Sequence, residues 1–273
     1  AGFTGAIRAA QLGKSVCIIE LGFIGGVCLN RGCIPSKSML RSSQIFADLS
    51  NMEKYGITAE NQKYDLQKIL NLRTQTIEKI RTSLERNIRA NDIEIINGTA
   101  RLDEKLNLQV FHNGETTNVE YDKLVIATGA RPVIPQINNV NLKNVFTVRK
   151  IEDGINIRNK ALQSKHVTVI GSGYIGLELL EAFVKLGLFV TVIEFTPLIA
   201  PNYDDDISSL ILEQLLSQSA NKFEILTSQL VTEFEANENN EVIKVKTSSG
   251  KVIDTDMVVI AAGVKPNVEI AQD

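Results

Sequence analysis

Apolar residues along this chain follow two rhythms. Short unbroken runs, His166-Val-Thr-Val-Ile170, Phe189-Val-Thr-Val-Ile193 and Val258-Val-Ile260, have the length and β-branched content of strands buried on both faces. Elsewhere the apolar positions repeat at helical spacing. Leu66, Ile69, Leu70, Ile77, Ile80, Leu84 and Ile88 predict a helix over residues 64–90, read as an amphipathic packing or interface helix. Residues 177–186 predict a second helix, closed by Gly187. Strand-like runs fill residues 93–121, where Asn113-Gly114 signals a hairpin, and a second strand-rich patch spans residues 223–253. Residues 132–165 read as a connection between domains. Strands alternating with helices predict an α/β fold with parallel sheets.

A repeat underlies this pattern. The strand at His166 leads into Gly171-Ser-Gly173-Tyr-Ile-Gly176, then a helix, then a strand ending in Glu194. In that context the glycines mark a dinucleotide-binding βαβ unit: a tight turn, close backbone approach to a pyrophosphate, and a helix N-terminus that attracts the anion. Glu194 can hold a ribose 2′-hydroxyl and repel a 2′-phosphate, which favours NAD over NADP. Gly176 and Gly187 are 11 positions apart, as are Gly2 and Gly13; Gly187 and Glu194 are 7 apart, as are Gly13 and Glu20. Gly2 therefore reads as the third glycine of a first fingerprint whose opening strand and first glycines precede Ala1. Leu124-Val-Ile-Ala-Thr-Gly129-Ala-Arg-Pro132 echoes Val258-Val-Ile-Ala-Ala-Gly263-Val-Lys-Pro266, each an apolar strand ending in a small-residue turn.

Composition narrows the class. The chain has 273 residues, 44 % hydrophobic and 22 % charged, ordinary for about two folded domains. A net charge of −3 suggests neither nucleic acid nor an anionic membrane as partner. No run of 18 apolar residues is present. Three cysteines form no secreted disulfide framework and point to a reducing compartment.

Two of those cysteines lie in Gly25-Gly26-Val27-Cys28-Leu29-Asn30-Arg31-Gly32-Cys33-Ile34-Pro35-Ser36-Lys37. Residues five apart in a straight helix differ by about 7.5 Å along its axis. A disulfide needs Cα atoms roughly 4.4–6.8 Å apart. If Cys28 and Cys33 bond, the backbone between them is bent, which Gly32 permits. A redox dithiol is favoured over two unrelated core cysteines. Structural zinc is disfavoured because no second cysteine pair accompanies this one, and no metal site is assigned. Cys17, inside Val16-Cys17-Ile18-Ile19, reads as a small core residue.

With these motifs the sequence resembles the pyridine nucleotide–disulfide oxidoreductases, and among them the lipoamide dehydrogenases. The resemblance runs along all 273 residues. It implies two Rossmann-like domains, for FAD and NAD, each with a small β-meander insertion. Residues 1–140 would form the FAD domain, with its beginning outside the chain, residues 141–265 the NAD domain, and residues 266–273 the return to the first. Cys28 matches the interchange thiol, Cys33 the thiol in charge-transfer contact with the flavin, and Lys37 the lysine near the flavin ring. Glu178 matches the acid that pairs with that lysine, and Tyr174 the ring covering the nicotinamide side of the flavin. Gly2, Glu20, Gly25, Gly26, Ala100, Thr128 and Gly129 match FAD contacts. Gly171, Gly173, Gly176, Glu194, Leu230 and Gly263 match NAD contacts. Cys-Ile-Pro-Ser-Lys resembles lipoamide enzymes more than glutathione reductases; mercuric reductases stay open as an alternative, as does a non-catalytic nucleotide-binding remnant. The implied partners are a lipoyl group or the lipoyl domain of a 2-oxoacid dehydrogenase complex, with a homodimer in the full-length protein. The implied compartment is the cytoplasm, or the matrix of a eukaryotic organelle. The family's His-Glu base and second FAD-binding aspartate have no match here, and His112 and His166 read as ordinary histidines.

Overall fold

The computed structural model describes residues 2–58, 60–219 and 221–271. The chain divides into two compact units, Ala1–Gly129 with Pro266–Asp273, and Ala130–Lys265.

The first unit opens with α1 (Gly2–Gln11) and β1 (Cys17–Glu20), followed by α2 (Gly26–Asn30), α3 (Cys33–Ser50) and α4 (Leu66–Ala90). Then come β2 (Glu94–Asn97) and an antiparallel meander of β3 (Thr99–Leu102), β4 (Leu108–His112) and β5 (Glu115–Val119). Gly13 closes α1: its N–H reaches Ala10 O while Lys14 N–H reaches Ala9 O, a Schellman cap. β1 and β2 pair in parallel, Cys17 opposite Glu94. The core is small. Ile24, Ile88 and Ile93 are buried, and Phe3, Ala6, Ile7, Val16, Ile18 and Leu84 pack on them. Asp65 caps α4 by accepting from Lys68 N–H at 3.0 Å, so the helix starts within two residues of the expected place. Of its apolar stripe only Ile88 is fully buried; Leu66 and Ile80 stay exposed. The hairpin forms where expected, with Asn113 and Gly114 both at positive φ between His112 and Glu115.

Two expectations fail in this unit. Cys17 is exposed rather than buried. Side chains alternate along a strand, and Ile18 takes the core side, so Cys17 points the other way. Residues 124–128 form no strand, and Val125 is 81 % exposed. A strand needs a partner ladder, and the parallel sheet described here holds β1 and β2 alone.

The second unit contains β6 (Ala130–Pro132), β7 (Val145–Thr147), α5 (Ile151–Ala161), β8 (His166–Ile170), α6 (Tyr174–Lys185), β9 (Phe189–Ile193) and α7 (Asp205–Ser219). After these come β10 (Phe223–Leu226), the meander β11 (Val231–Ala236), β12 (Val242–Thr247) and β13 (Val252–Asp254), then β14 (Met257–Ile260) and β15 (Val264–Pro266), whose last residue already belongs to the first unit. Its central sheet runs β10-β9-β8-β14-β7 with every neighbouring pair parallel. The strands β8, β9 and β14 are buried almost end to end because both faces are covered. Val167, Val169, Val190, Val192, Met257 and Val259 face α5 and α6, where Ile157, Leu180 and Phe183 meet them. Ile170, Ile193, Val258 and Ile260 face the meander through Phe234, Val242 and Val245. Residues 132–165 are thus more than a connection. They supply β7 and α5, whose first turn is tied by Asp153 accepting from Arg149 and Lys150 N–H.

At the head of the sheet β8 turns into α6. A β-carbon on Gly171, at φ +97°, would stand 2.6 Å from Ala261 O, and one on Gly176 would overlap the Gly171 carbonyl oxygen. Gly187 N–H to Val184 O and Leu188 N–H to Phe183 O close α6 with the same Schellman pair that closes α1.

Gly176→Ala should destabilise the second unit by about 1–3 kcal/mol through overpacking. Gly154→Ala, at an exposed position of α5 with open space around it, should stabilise by about 0.5–1 kcal/mol. Urea midpoints read both, and equal effects would contradict the packing argument.

Candidate functional site

In the first unit the chemistry gathers at the junction of α2 and α3. Gly25, at φ +112°, caps α2, and a β-carbon there would overlap Leu29. Gly26 follows at φ +64° with open space beside it. Gly32 breaks the two helices apart: a β-carbon on it would lie 3.2 Å from Val27 O and 3.5 Å from Cys28 Cα. The chain therefore folds back tightly, and Cys33, first residue of α3, comes to the Cys28 thiol. Both cysteines are free thiols and exposed. A hydrogen bond with Cys33 is the main reason that the Cys28 thiol pKa lies above the ordinary cysteine value, with burial and the Cys33 charge adding to it; the Lys37 ammonium works against the shift. Lys37 sits one helical turn beyond Cys33 on α3. Asn30, overlooked in the sequence, braces the turn before Cys28: its Nδ2 lies 3.0–3.2 Å from Phe23 O, Ile24 O and Gly26 O. By contrast Cys17 stands apart on β1, where partial burial and then the Glu94 carboxylate raise its pKa.

The other first-unit candidates lie on β1, α1, β3 and the segment before β6. Glu20 closes β1, and its Oε1 accepts from Gly22 N–H at 2.9 Å. Gly2 opens α1, where a β-carbon would come within 3.1 Å of Ala127. Ala100 is half-buried in β3. Thr128 and Gly129 are held by Asn267: Thr128 Oγ1 donates to Asn267 O, Asn267 Nδ2 donates to Thr128 O at 3.0 Å, and Asn267 N–H donates to Gly129 O at 2.9 Å.

The second unit presents the glycine turn. Gly171 and Gly176 are held by close backbone approach. A β-carbon on Gly173 would meet nothing nearer than Asn202 Nδ2 at 3.8 Å, which leaves the mouth of the turn open to a ligand. Tyr174 and Glu178 lie one turn apart on the exposed face of α6. The Tyr174 ring meets Tyr203 edge-on, centroids 5.5 Å apart. Their hydroxyl contact raises the Tyr203 pKa. Leu230 is half exposed, and Gly263, at φ +93°, borders open space. Lys37 and Glu178 belong to different units.

Glu194 is the most constrained of the candidates, only 6 % exposed. Its Oε2 accepts from Ser172 N–H and Oγ, both at 2.7 Å. Its Oε1 accepts from Thr196 N–H and Oγ1, both at 2.9 Å. Burial pushes the carboxyl pKa up, but the hydrogen bonds from Thr196 and Ser172 outweigh it and hold the group below the ordinary glutamate value. Sequence reasoning missed Ser172 and Thr196, whose types carry no signal until the strand end and the turn are seen together.

A dithiol on a tight turn and a glycine-cradled nucleotide fold are the parts of one known family. Residues 1–273 match the family described as pyridine nucleotide-disulphide oxidoreductase. The chain belongs to this family. Its enzymes use FAD and NAD(H). A dihydrolipoyl dehydrogenase of Geobacillus stearothermophilus is 31 % identical over 269 residues, 98 % of this chain and 55 % of that enzyme. The HOCl-induced flavoprotein disulfide reductase RclA from Escherichia coli superposes with a TM-score of 0.68 at 25 % identity, over 98 % of this chain and 56 % of its own. An NAD-dependent persulfide reductase from A. fulgidus gives 0.64 at 25 % identity, over 99 % and 45 %. The chain spans about half the length of the curated relatives it matches. The residues present fit both cofactors of the family: open glycines at Gly26, Gly129 and Gly173, and acids at the end of β1 (Glu20) and just after β9 (Glu194).

Because the Glu194 pKa is lowered by folding, its stabilisation is fully present above the ordinary glutamate range and is lost as pH falls through the depressed value. Glu194→Gln should therefore cost about 1–3 kcal/mol at neutral pH, as donors lose their acceptor. The gap to wild type should narrow on acidification. Urea denaturation between neutral pH and about pH 3.5 checks this; a gap that widens would contradict it.

Proposed function

We propose that this chain carries the redox dithiol and the nucleotide-binding parts of a flavoprotein that oxidises dihydrolipoyl groups with NAD⁺. The observation that carries the reading is the approach of Cys33 to Cys28 across the Gly32 turn, one helical turn from Lys37. In the oxidised protein a substrate thiolate attacks Sγ of Cys28, and the S–S bond to Cys33 breaks. The second substrate thiolate then attacks the substrate sulfur of the mixed disulfide. The cyclic disulfide leaves, Cys28 departs as thiolate, and two electrons remain on the cysteine pair. A thiolate formed at Cys33 stands at the positive end of the α3 dipole. FAD, when bound, would supply a two-electron acceptor for the cysteine pair and a hydride donor for NAD⁺.

Gly2, Glu20, Gly25, Gly26, Ala100, Thr128 and Gly129 would hold FAD; Gly171, Gly173, Gly176, Leu230 and Gly263 would hold NAD, with the Glu194 charge disfavouring a 2′-phosphate. Lys37 would stabilise negative charge on the flavin. Glu178 and Tyr174, on one face of α6, would serve the nicotinamide side. The pairing of Lys37 with Glu178, the boundaries at residues 140 and 265, the lipoyl-domain partner, the homodimer and a reducing compartment such as the cytoplasm belong to the same proposal. Among the described residues no helix is long and apolar enough to cross a membrane. Likeness to a persulfide reductase supports a second substrate class, a sulfur–sulfur bond other than the lipoyl disulfide.

The test uses the FAD-loaded full-length protein with dihydrolipoamide and NAD⁺. NADH should appear in wild type and fall to background in both Cys28→Ser and Cys33→Ser, while Cys17→Ser keeps its activity. Turnover that survives loss of Cys28 or Cys33 would refute the dithiol route. Turnover with a persulfide but not with dihydrolipoamide would move the substrate to the second class.

A further inference from the structure

The helix that presents Cys28 is a single turn. α2 is five residues long, and one turn fixes more backbone angles than its few hydrogen bonds can hold. Two side chains close it. Leu29 is buried and packs so tightly on Gly25 that a β-carbon there would lie 2.3 Å from Leu29 Cδ2. Asn30, the last residue, folds back over the first. Its Nδ2 stands 3.0 Å from Gly26 O, 3.1 Å from Ile24 O and 3.2 Å from Phe23 O, so two N–H groups are shared among three carbonyls. Nδ2 is the working atom, because among the described residues nothing donates to Oδ1. Ile24 is buried in the core of this unit. The brace therefore runs from the core, through one carboxamide, to both ends of the turn. Cys28 lies between those ends, exposed, with Cys33 as its hydrogen-bond partner.

We propose that Asn30 is a positioning residue for the Cys28–Cys33 couple: by holding α2 closed while both thiols are reduced, it keeps Cys28 at Cys33 and favours the disulfide over the dithiol. The proposal rests on the dithiol reading above and adds what sets its redox balance. A thiol already held at its partner acts at high effective concentration, and closing the bond orders little further backbone. Without the brace the turn frays in the dithiol form, and oxidation then has to reorder it. The disulfide form suffers less, since the S–S bond itself ties α2 to α3. Loss of Asn30 therefore acts on one side of an equilibrium with glutathione. The Cys28–Cys33 disulfide and two glutathione thiols give the dithiol and glutathione disulfide more readily, two electrons and two protons passing to the cysteine pair.

The experiment equilibrates the FAD-loaded full-length protein with glutathione buffers of stepped ratio, without oxygen or nicotinamide, and counts free Cys28 and Cys33 by alkylation and mass spectrometry. Asn30→Ala should shift the midpoint toward the dithiol by about fivefold to tenfold, tenfold being about 30 mV. Asn30→Ser, whose hydroxyl can still reach the carbonyl four residues back at Gly26, should shift it less, and it serves where the alanine variant fails to fold. Asp65→Ala removes the cap of α4 in the same unit. It destabilises without touching α2 and should leave the midpoint in place. Asn30 variants that lose stability but keep the wild-type midpoint would overturn the proposal, as would an equal shift in Asp65→Ala. A wild type that forms no Cys28–Cys33 disulfide at any ratio would sink the dithiol reading, and the proposal with it.

Discussion

The second unit is organised around one close approach. The backbone of α6 passes so near the Gly171 carbonyl that no side chain fits at Gly176. That contact brings the helix N-terminus against the end of β8, at the head of a parallel sheet whose central strands are buried. It sets Ser172 beside Glu194 and leaves Gly173 open to the outside. It also turns one face of α6 outward, carrying Tyr174 and Glu178. Helix, turn and strand end are therefore a single device, and the chemistry assigned to any of them depends on the space denied at Gly176.

Exclusion of side chains does the same work in the first unit. The close approach at Gly32 lets two helices meet at a bend, and the bend brings Cys33 to Cys28. Neither thiol is buried, in contrast to a structural disulfide held inside a core. Their exposure suits exchange with an external thiol, and the hydrogen bond between them keeps Cys28 above the ordinary cysteine pKa while both are reduced.

Features governed by local rules were legible in the chain. Equal spacings from Gly2 to Glu20 and from Gly176 to Glu194 became two helices with the same Schellman closure. Asn113-Gly114 became a turn because both residues tolerate positive φ. Features that need a distant partner were not legible. Leu124-Val-Ile-Ala-Thr128 has the composition of its echo in β14, yet β14 lies between β8 and β7 while residues 124–128 have no such neighbours. Cys17 sits in an apolar run, but burial is decided by which face of β1 is covered. Residues 145–161 carry weak patterns, and became a strand and helix through pairing with β14. The site showed the same division. Cys28 and Cys33 stand out by their spacing and Lys37 only through the family resemblance, whereas the hold of Ser172 and Thr196 on Glu194 spans 22 residues on one side and depends on the loop on the other.

The account stands on the claim that Cys28 and Cys33 exchange electrons with a nicotinamide nucleotide through a bound flavin. The direct measurement is to oxidise the full-length protein, add NADH with and without FAD under anaerobic conditions, and map thiols by alkylation and mass spectrometry. Cys28 and Cys33 should become alkylatable together, only when both NADH and FAD are present, with Cys17 alkylatable throughout. A disulfide that stays closed while the flavin is reduced would contradict the account.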